Sequence, residues 1–141
     1  MNAVQNRIVQ EARGYLGCRY RHQGRSRSGI DCIGLPIEVA KTVFAWDFDI
    51  TNYPRQAADE TMLRLCQERL VSVPKAALEP GDVLIMRFEN QRHAGIVGDY
   101  PHPGELSLIH AYAPRRKVVE ARLDSVWLSR VLAAFRFPEA V

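Results

Sequence analysis

At 141 residues, with 47% hydrophobic and 25% charged side chains, the chain has the make-up of one ordinary globular domain large enough to bury its own core. Its 19 basic and 16 acidic residues are interspersed and leave a net charge of only +3, which gives no argument for a nucleic-acid partner, and none is expected. Cys18, Cys32 and Cys66 form no CxxC pair and no His/Cys cluster at zinc-ligand spacing, which argues against a disulfide framework or a metal centre and for a thiol protein made in a reducing compartment, without a cofactor.

The first predicted element is a helix over residues 3–16, where Val4, Ile8, Ala12 and Tyr15 form one apolar stripe and Gly17 can end it. The same segment carries Arg7, Glu11 and Arg13 and lacks the apolar run of an export signal, and no stretch approaches the roughly 20 apolar residues of a membrane span, so cytoplasmic synthesis and no membrane partner are expected. Residues 18–30 then read as a loop rich in arginine: Arg19, Arg21, Arg25 and Arg27. Such a run is commonly a solvated or partner-facing surface. Leading into the segment that follows, it could also line a cleft and grip substrate carboxylates with guanidinium forks. Phosphate-backbone binding is the weakest of the three readings, because only Tyr20 is present to stack bases.

The stretch Ser28-Gly29-Ile30-Asp31-Cys32-Ile33-Gly34-Leu35 leads into a second helix, expected over residues 32–45. Asp31 is a good N-cap and puts Cys32 in the first turn, where free amides and the helix dipole favour thiolate over thiol. Pro36 cannot donate to the Cys32 carbonyl, so that turn is expected to be loosened, and Gly34 would allow backbone or substrate to approach closely. The plain alternative is that Cys32 is a small buried apolar residue.

Residues 46–58 look like an irregular connection whose aromatic residues Trp46, Phe48 and Tyr53 pack locally, and 59–70 read as a third helix with Cys66 on its core stripe. From Val71 onward the pattern changes to strands separated by turns, at 83–88, 93–100, 106–112, 117–123 and 131–137, with a short helical segment at 124–130. Helices followed by closely connected strands predict an α+β fold, helices on one side of an antiparallel sheet of five to six strands, within a single domain.

Two of the four histidines fall in strand-like runs, His93 at the head of His93-Ala94-Gly95-Ile96-Val97-Gly98 and His110 at the end of Leu106-Ser107-Leu108-Ile109-His110. His93 could serve a Cys32 nucleophile as base while His110 holds the first imidazole in its tautomer. Equally, both could be strand histidines with ordinary hydrogen bonds. His22 and His102 fall in loops with no geometric reason for a catalytic role.

Taken together, Leu16-Gly17-Cys18-Arg19-Tyr20, Gly24, Asp31-Cys32-Ile33-Gly34-Leu35, Pro80-Gly81-Asp82-Val83-Leu84, His93 to Gly98 and Ile109-His110-Ala111 resemble the NlpC-type cysteine peptidases over nearly the whole chain. No single piece is specific; the ordered set is. The resemblance implies a papain-like fold with Cys32 as nucleophile, His93 as general base, His110 as its orienter and Tyr20 beside the nucleophile. Asp31, Gly34 and the arginines of the loop would flank the substrate. The expected activity is cleavage of peptidoglycan stem peptides, often between D-glutamate and a diamino acid, with no metal or organic cofactor. Ile33 stands where many members have serine, which resembles the phage and gene-transfer branch and implies a phage-tail setting with tail-tip proteins as partners. Two rivals stay open: a structural tail-tip module that leaves the site unused, and a thiol amidase or acyltransferase.

Overall fold

The computed structural model describes residues 1–55 and 60–141. Helix α1 spans Ala3–Arg13 and begins with a capping box, Asn2 and Gln5 each accepting the other's backbone N–H at 2.8 Å. It is three residues shorter than its apolar pattern. The chain leaves the helix after Gly14 and turns at Gly17, whose φ is 84°, while Tyr15 still packs into the core. In the arginine-rich segment, expected to be a loop, Arg25–Ser26 (β1) and Gly29–Ile30 (β2) pair as a minimal hairpin. Helix α2 follows over Gly34–Phe44 and α3 over Thr61–Arg69; the expected first residue of that helix, Asp59, and the end of the preceding connection lie outside the described residues.

Six strands form one antiparallel sheet: β3 (Val71–Val73), β4 (Val83–Phe88), β5 (Gln91–Gly98), β6 (Ser107–Tyr112), β7 (Lys117–Arg122) and β8 (Val131–Arg136), in the order β3-β8-β4-β5-β6-β7. The order departs from the chain at one place, where β8 returns between β3 and β4. Strand β5 begins two residues earlier than its pattern, because Glu89 adopts a positive φ of 53° and the turn from β4 needs only Glu89 and Asn90.

Strand alternation divides the core into two layers. On one face Val83, Ile96, Ile109 and Ala111 pack under Ile8, Val9 and Ala12 of α1 and Leu35, Val39 and Ala40 of α2. Each fully buried valine, leucine or isoleucine among them contributes about 1.5–3 kcal/mol of transfer free energy. On the other face Leu84, Met86, Val97 and Leu108 pack beside their β8 neighbours Val131 and Ala134 and against Leu123, with Trp127 and Leu128 of the short helix α4 (Ser125–Ser129) at the margin. The helices are therefore not all on one side: α4 covers part of the second face, anchored by Asp124, which accepts the Trp127 N–H at 3.0 Å. Among the described residues no helix is long and apolar enough to cross a membrane.

Candidate active site

Cys32 lies at the entrance to α2, on a turn organised by Asp31. The Asp31 carbonyl accepts the Leu35 N–H at 3.1 Å and its carboxylate accepts the Gly34 N–H at 2.8 Å, so Asp31 does cap the helix although regular geometry starts only at Gly34. The irregular residues are Cys32 and Ile33, where Pro36 withholds its donor. The same carboxylate, only 1% exposed, also accepts the Gln23 N–H at 2.7 Å, the Tyr53 hydroxyl at 2.6 Å and Arg25 Nη1 at 3.2 Å. Its hydrogen-bonding capacity is spent within the protein.

Burial is the main reason the Cys32 thiol is pushed up to about 12, and the adjacent Asp31 charge adds to it; the amides of Ala94, Cys32 and Ile33 pull the other way and lose. This corrects the expectation of a thiolate drawn from the helix N-terminus. The amides are present, but a buried sulfur beside a carboxylate keeps its proton.

His93 and His110 meet on the sheet face opposite the α1–α2 layer, with His93 Nε2 2.6 Å from His110 Nδ1. Gly95 makes the approach possible, since a Cβ there would lie 2.4 Å from Leu108 Cδ1 and 3.2 Å from His110 Cβ. Aromatic rings wall the pair in: Phe88 edge-on to His93 at 5.3 Å, Tyr112 stacked on His110 at 4.9 Å, and Trp127 perpendicular to His110 at 5.1 Å. His110 is wholly buried and its Nε2 has no hydrogen-bond partner among the described residues. Burial first, and then His110, holds His93 well below the usual histidine range, and burial lowers His110 to about 4. Both rings are thus neutral. A His93 that donates through Nε2 to His110 keeps Nδ1 as a free acceptor, and His110 then carries its proton on the unpartnered Nε2.

Cys32 and His93 line one cleft of about 150 Å³ together with Tyr20, while His110 stands behind His93 and does not reach it. Burial, then the negative charges available at Cys32 and Asp31, raise the Tyr20 hydroxyl above its ordinary range, so it stays a proton donor.

The remaining expected site residues divide differently from the sequence reading. Gly34 does not open space for substrate: a Cβ there would lie 2.6 Å from Gly24 O and 2.8 Å from Arg25 Nη1, so the room is filled by the protein's own backbone and Arg25. Arg25 is a buried strut, bound to Asp49 at 2.9 Å and to the Tyr53 hydroxyl at 2.9 Å besides Asp31. Arg27 turns away to Gly14 O and Glu11 and covers the Tyr15 ring. Arg21 is exposed with its stem against Gly29, and Arg19 lies in a neighbouring shallow groove with Arg115, Arg116 and Lys117. None of the four arginines lines the cleft. The cations that do are Arg55 and Arg92, and His22 and Tyr53, assigned no site role from the sequence, line it as well. Arg92 carried one legible signal, its place directly before His93; Tyr53 and Arg55 carried none. Among the described residues no group of three His, Cys, Asp or Glu side chains could hold a metal ion.

The NlpC/P60 family model matches residues 17–136, a span that contains Tyr20, Cys32, His93 and His110. The chain belongs to the NlpC/P60 family. A search of curated proteins finds the Escherichia coli K12 protein named Murein DD-endopeptidase MepS/Murein LD-carboxypeptidase, 25% identical over 134 residues; the match takes in 94% of this chain and 63% of that relative's length. Among solved structures, the NlpC/p60 domain of the peptidoglycan hydrolase SagA superposes with a TM-score of 0.66 at 20% identity, covering 97% of this chain and 100% of that one. The peptidoglycan hydrolase RipB of Mycobacterium tuberculosis gives 0.61 at 18% identity, covering 94% of this chain and 64% of its own. RipD of the same organism, described as a non-catalytic NlpC/p60 domain protein adapted to peptidoglycan binding, gives 0.59 at 11%, covering 98% of this chain and 99% of its own. These neighbours establish the papain-like α+β fold of the NlpC/P60 domains for this chain.

Proposed function

We propose that this protein is a cysteine peptidase that cuts the peptide stems of bacterial peptidoglycan, with Cys32 as nucleophile, His93 as base and His110 as the group that orients His93. The observation that carries the reading is the 2.6 Å bond between His93 and a neutral, buried His110, on a histidine that shares a cleft with Cys32. With thiol and imidazole both neutral at rest, attack and proton transfer go together: His93 Nδ1 takes the thiol proton as sulfur adds to the amide carbonyl. The developing oxyanion meets the Cys32 N–H and the Tyr20 hydroxyl, which burial keeps protonated. His93 then gives the proton to the departing amine, and water attacks the thioester with His93 again as base. Family membership and the named activity of the Escherichia coli relative support peptidoglycan as substrate.

Mass spectrometry of muropeptides incubated with wild type and Cys32→Ala tests this reading, which requires new amine and acid termini from wild type alone. Products transferred to an added amine would favour the acyltransferase form of the same chemistry. A second reading, a wall-binding or structural module with an unused site, is favoured by the raised Cys32 thiol and is the outcome if wild type binds muropeptides without cutting them. We further propose a phage-tail setting, supported by the resemblance that Ile33 lends to the phage branch; co-sedimentation with phage-like particles checks it.

A further inference from the structure

Strand alternation puts Arg92 on the same sheet face as Ala94, the residue whose amide bonds the Cys32 sulfur, and so on the opposite face from His93. Arg92 lines the cleft and its side chain is mostly buried, at 14% exposure. Of the edge formed by Nε and Nη2, only Nη2 is used: it donates to Glu60 Oε1 at 2.6 Å, while Nε is buried with no partner among the described residues. A planar guanidinium edge with two parallel N–H groups fits one carboxylate in a bidentate pair. Glu60 fills half of that fork from a 46% exposed position, from which it can swing into solvent. Arg25 forms the contrast, with Nε, Nη1 and Nη2 all engaged by the protein. A second cation, Arg55, lines the same cleft and has no carboxylate partner among the described residues.

We infer that Arg92, supported by Arg55, forms a carboxylate-receiving subsite beside the Cys32–His93 cleft, in which a free carboxylate of the bound peptide displaces Glu60 and closes the Arg92 fork. The inference rests on the peptidase reading for its ligand class, a peptide bearing carboxylates, and adds which of them is recognised: one flanking the amide to be cut.

The test uses two synthetic stem tetrapeptides containing D-glutamate and a diamino acid, identical except that the carboxylate flanking their shared amide is free in one and a carboxamide in the other. Binding to Cys32→Ala protein is measured by calorimetry. The free acid is expected to bind about tenfold more tightly, the scale of a charge-assisted hydrogen-bonded pair in a partly wet cleft. Arg92→Gln should bring the two peptides level, Arg92→Lys should retain part of the preference because it keeps charge but loses the fork, and Glu60→Gln should widen it by replacing the charge-assisted bond on Nη2 with a weaker neutral one that a carboxylate displaces more readily. Glu60→Gln also reads out the subsite if Arg92→Gln fails to fold. Equal binding of the two peptides, no binding of either, or a preference that survives in folded Arg92→Gln overturns the proposal. Acid-selective binding without cleavage by wild type would instead overturn the peptidase reading and leave the subsite standing.

Discussion

Two polar clusters flank Cys32, and they differ in how completely their hydrogen bonds are filled. At Asp31 four donors, from Gln23, Arg25, Gly34 and Tyr53, converge on one buried carboxylate, and Arg25 is tied in turn to Asp49. At His93 and His110 a single bond joins two neutral rings inside an aromatic enclosure, and His110 Nε2 has no partner among the described residues. The first cluster has no capacity left for a ligand. It holds the Cys32 turn in shape. In the second, if His93 donates through Nε2, its Nδ1 is left as an acceptor, the arrangement that the proposed proton transfer requires. Completeness of hydrogen bonding separates scaffold from chemistry here better than residue type does, since the scaffold holds the stronger charges.

The largest effects should come from breaking the histidine side of this contrast. His93→Ala is expected to lower turnover of muropeptides by about 10²–10⁴-fold, the range for a positioned general base. His110→Ala should cost less, because a misaligned base is still a base; steady-state rates on one muropeptide compare the two, and equal losses would contradict the assigned roles. Neither should greatly change binding by the Cys32→Ala background.

Breaking the Asp31 side should act on stability. Asp31→Ala leaves the Gln23 and Gly34 amides and the Tyr53 hydroxyl without their buried acceptor, while Arg25 keeps Asp49, and is expected to cost about 3 kcal/mol, each unsatisfied buried donor costing about 1–3 kcal/mol. Tyr53→Phe, which removes one hydroxyl donor from the same carboxylate, should cost about 1–2 kcal/mol. Urea denaturation of both variants measures the difference, and a stable Asp31→Ala would show that the node is not a strut.

A pH series sharpens the comparison. Because His110 has a folded value of about 4 against the ordinary 6.5, the unfolded chain binds its proton first as pH falls, so stability is full above pH 6.5 and declines between about 6.5 and 4. The loss attributable to His110 is on the order of 3 kcal/mol over that window. His93, also lowered, adds in the same direction. Melting temperatures of wild type and His110→Gln should converge toward the acid end. Since His93 stays neutral below pH 6.5, the acid limb of kcat/KM should fall below that pH as well.

The smallest effect belongs to the arginines that the cleft excludes. Arg19→Gln combined with Arg21→Gln should change the Michaelis constant for a small muropeptide by less than about twofold, in the range of exposed charges away from a site. A larger change would return these residues to the substrate path.

Most of the fold could be read along the chain, as could three residues that line the candidate cleft, Tyr20, Cys32 and His93, and the misreadings share a cause. Helical and strand periods are local, so α1, α2 and the strands from Val83 to Arg136 were legible within a few residues, as was the placement of Cys32 at a helix entrance and of His93 and His110 on strands. The ends drifted where single residues decided them: Gly14, which closes α1 ahead of Gly17, Glu89 with its positive φ, and Pro36 with its missing donor. The two-residue strands β1 and β2 are too short to show a period at all.

The sequence by itself determined the kinds of elements, their order, the candidate residues for thiol chemistry and the family to which the chain belongs, because all of these depend on local pattern and residue identity. Only the tertiary structure decided which charges were free. Arg25 meets Asp49 across 24 residues and Arg92 meets Glu60 across 32, so one cation is consumed as scaffold and another is left half-filled in the cleft by contacts that no local period encodes. The state of Cys32 was settled in the same way: the helix entrance favours thiolate, but burial of the sulfur beside Asp31 outweighs three amides, and burial is a property of the packed chain alone.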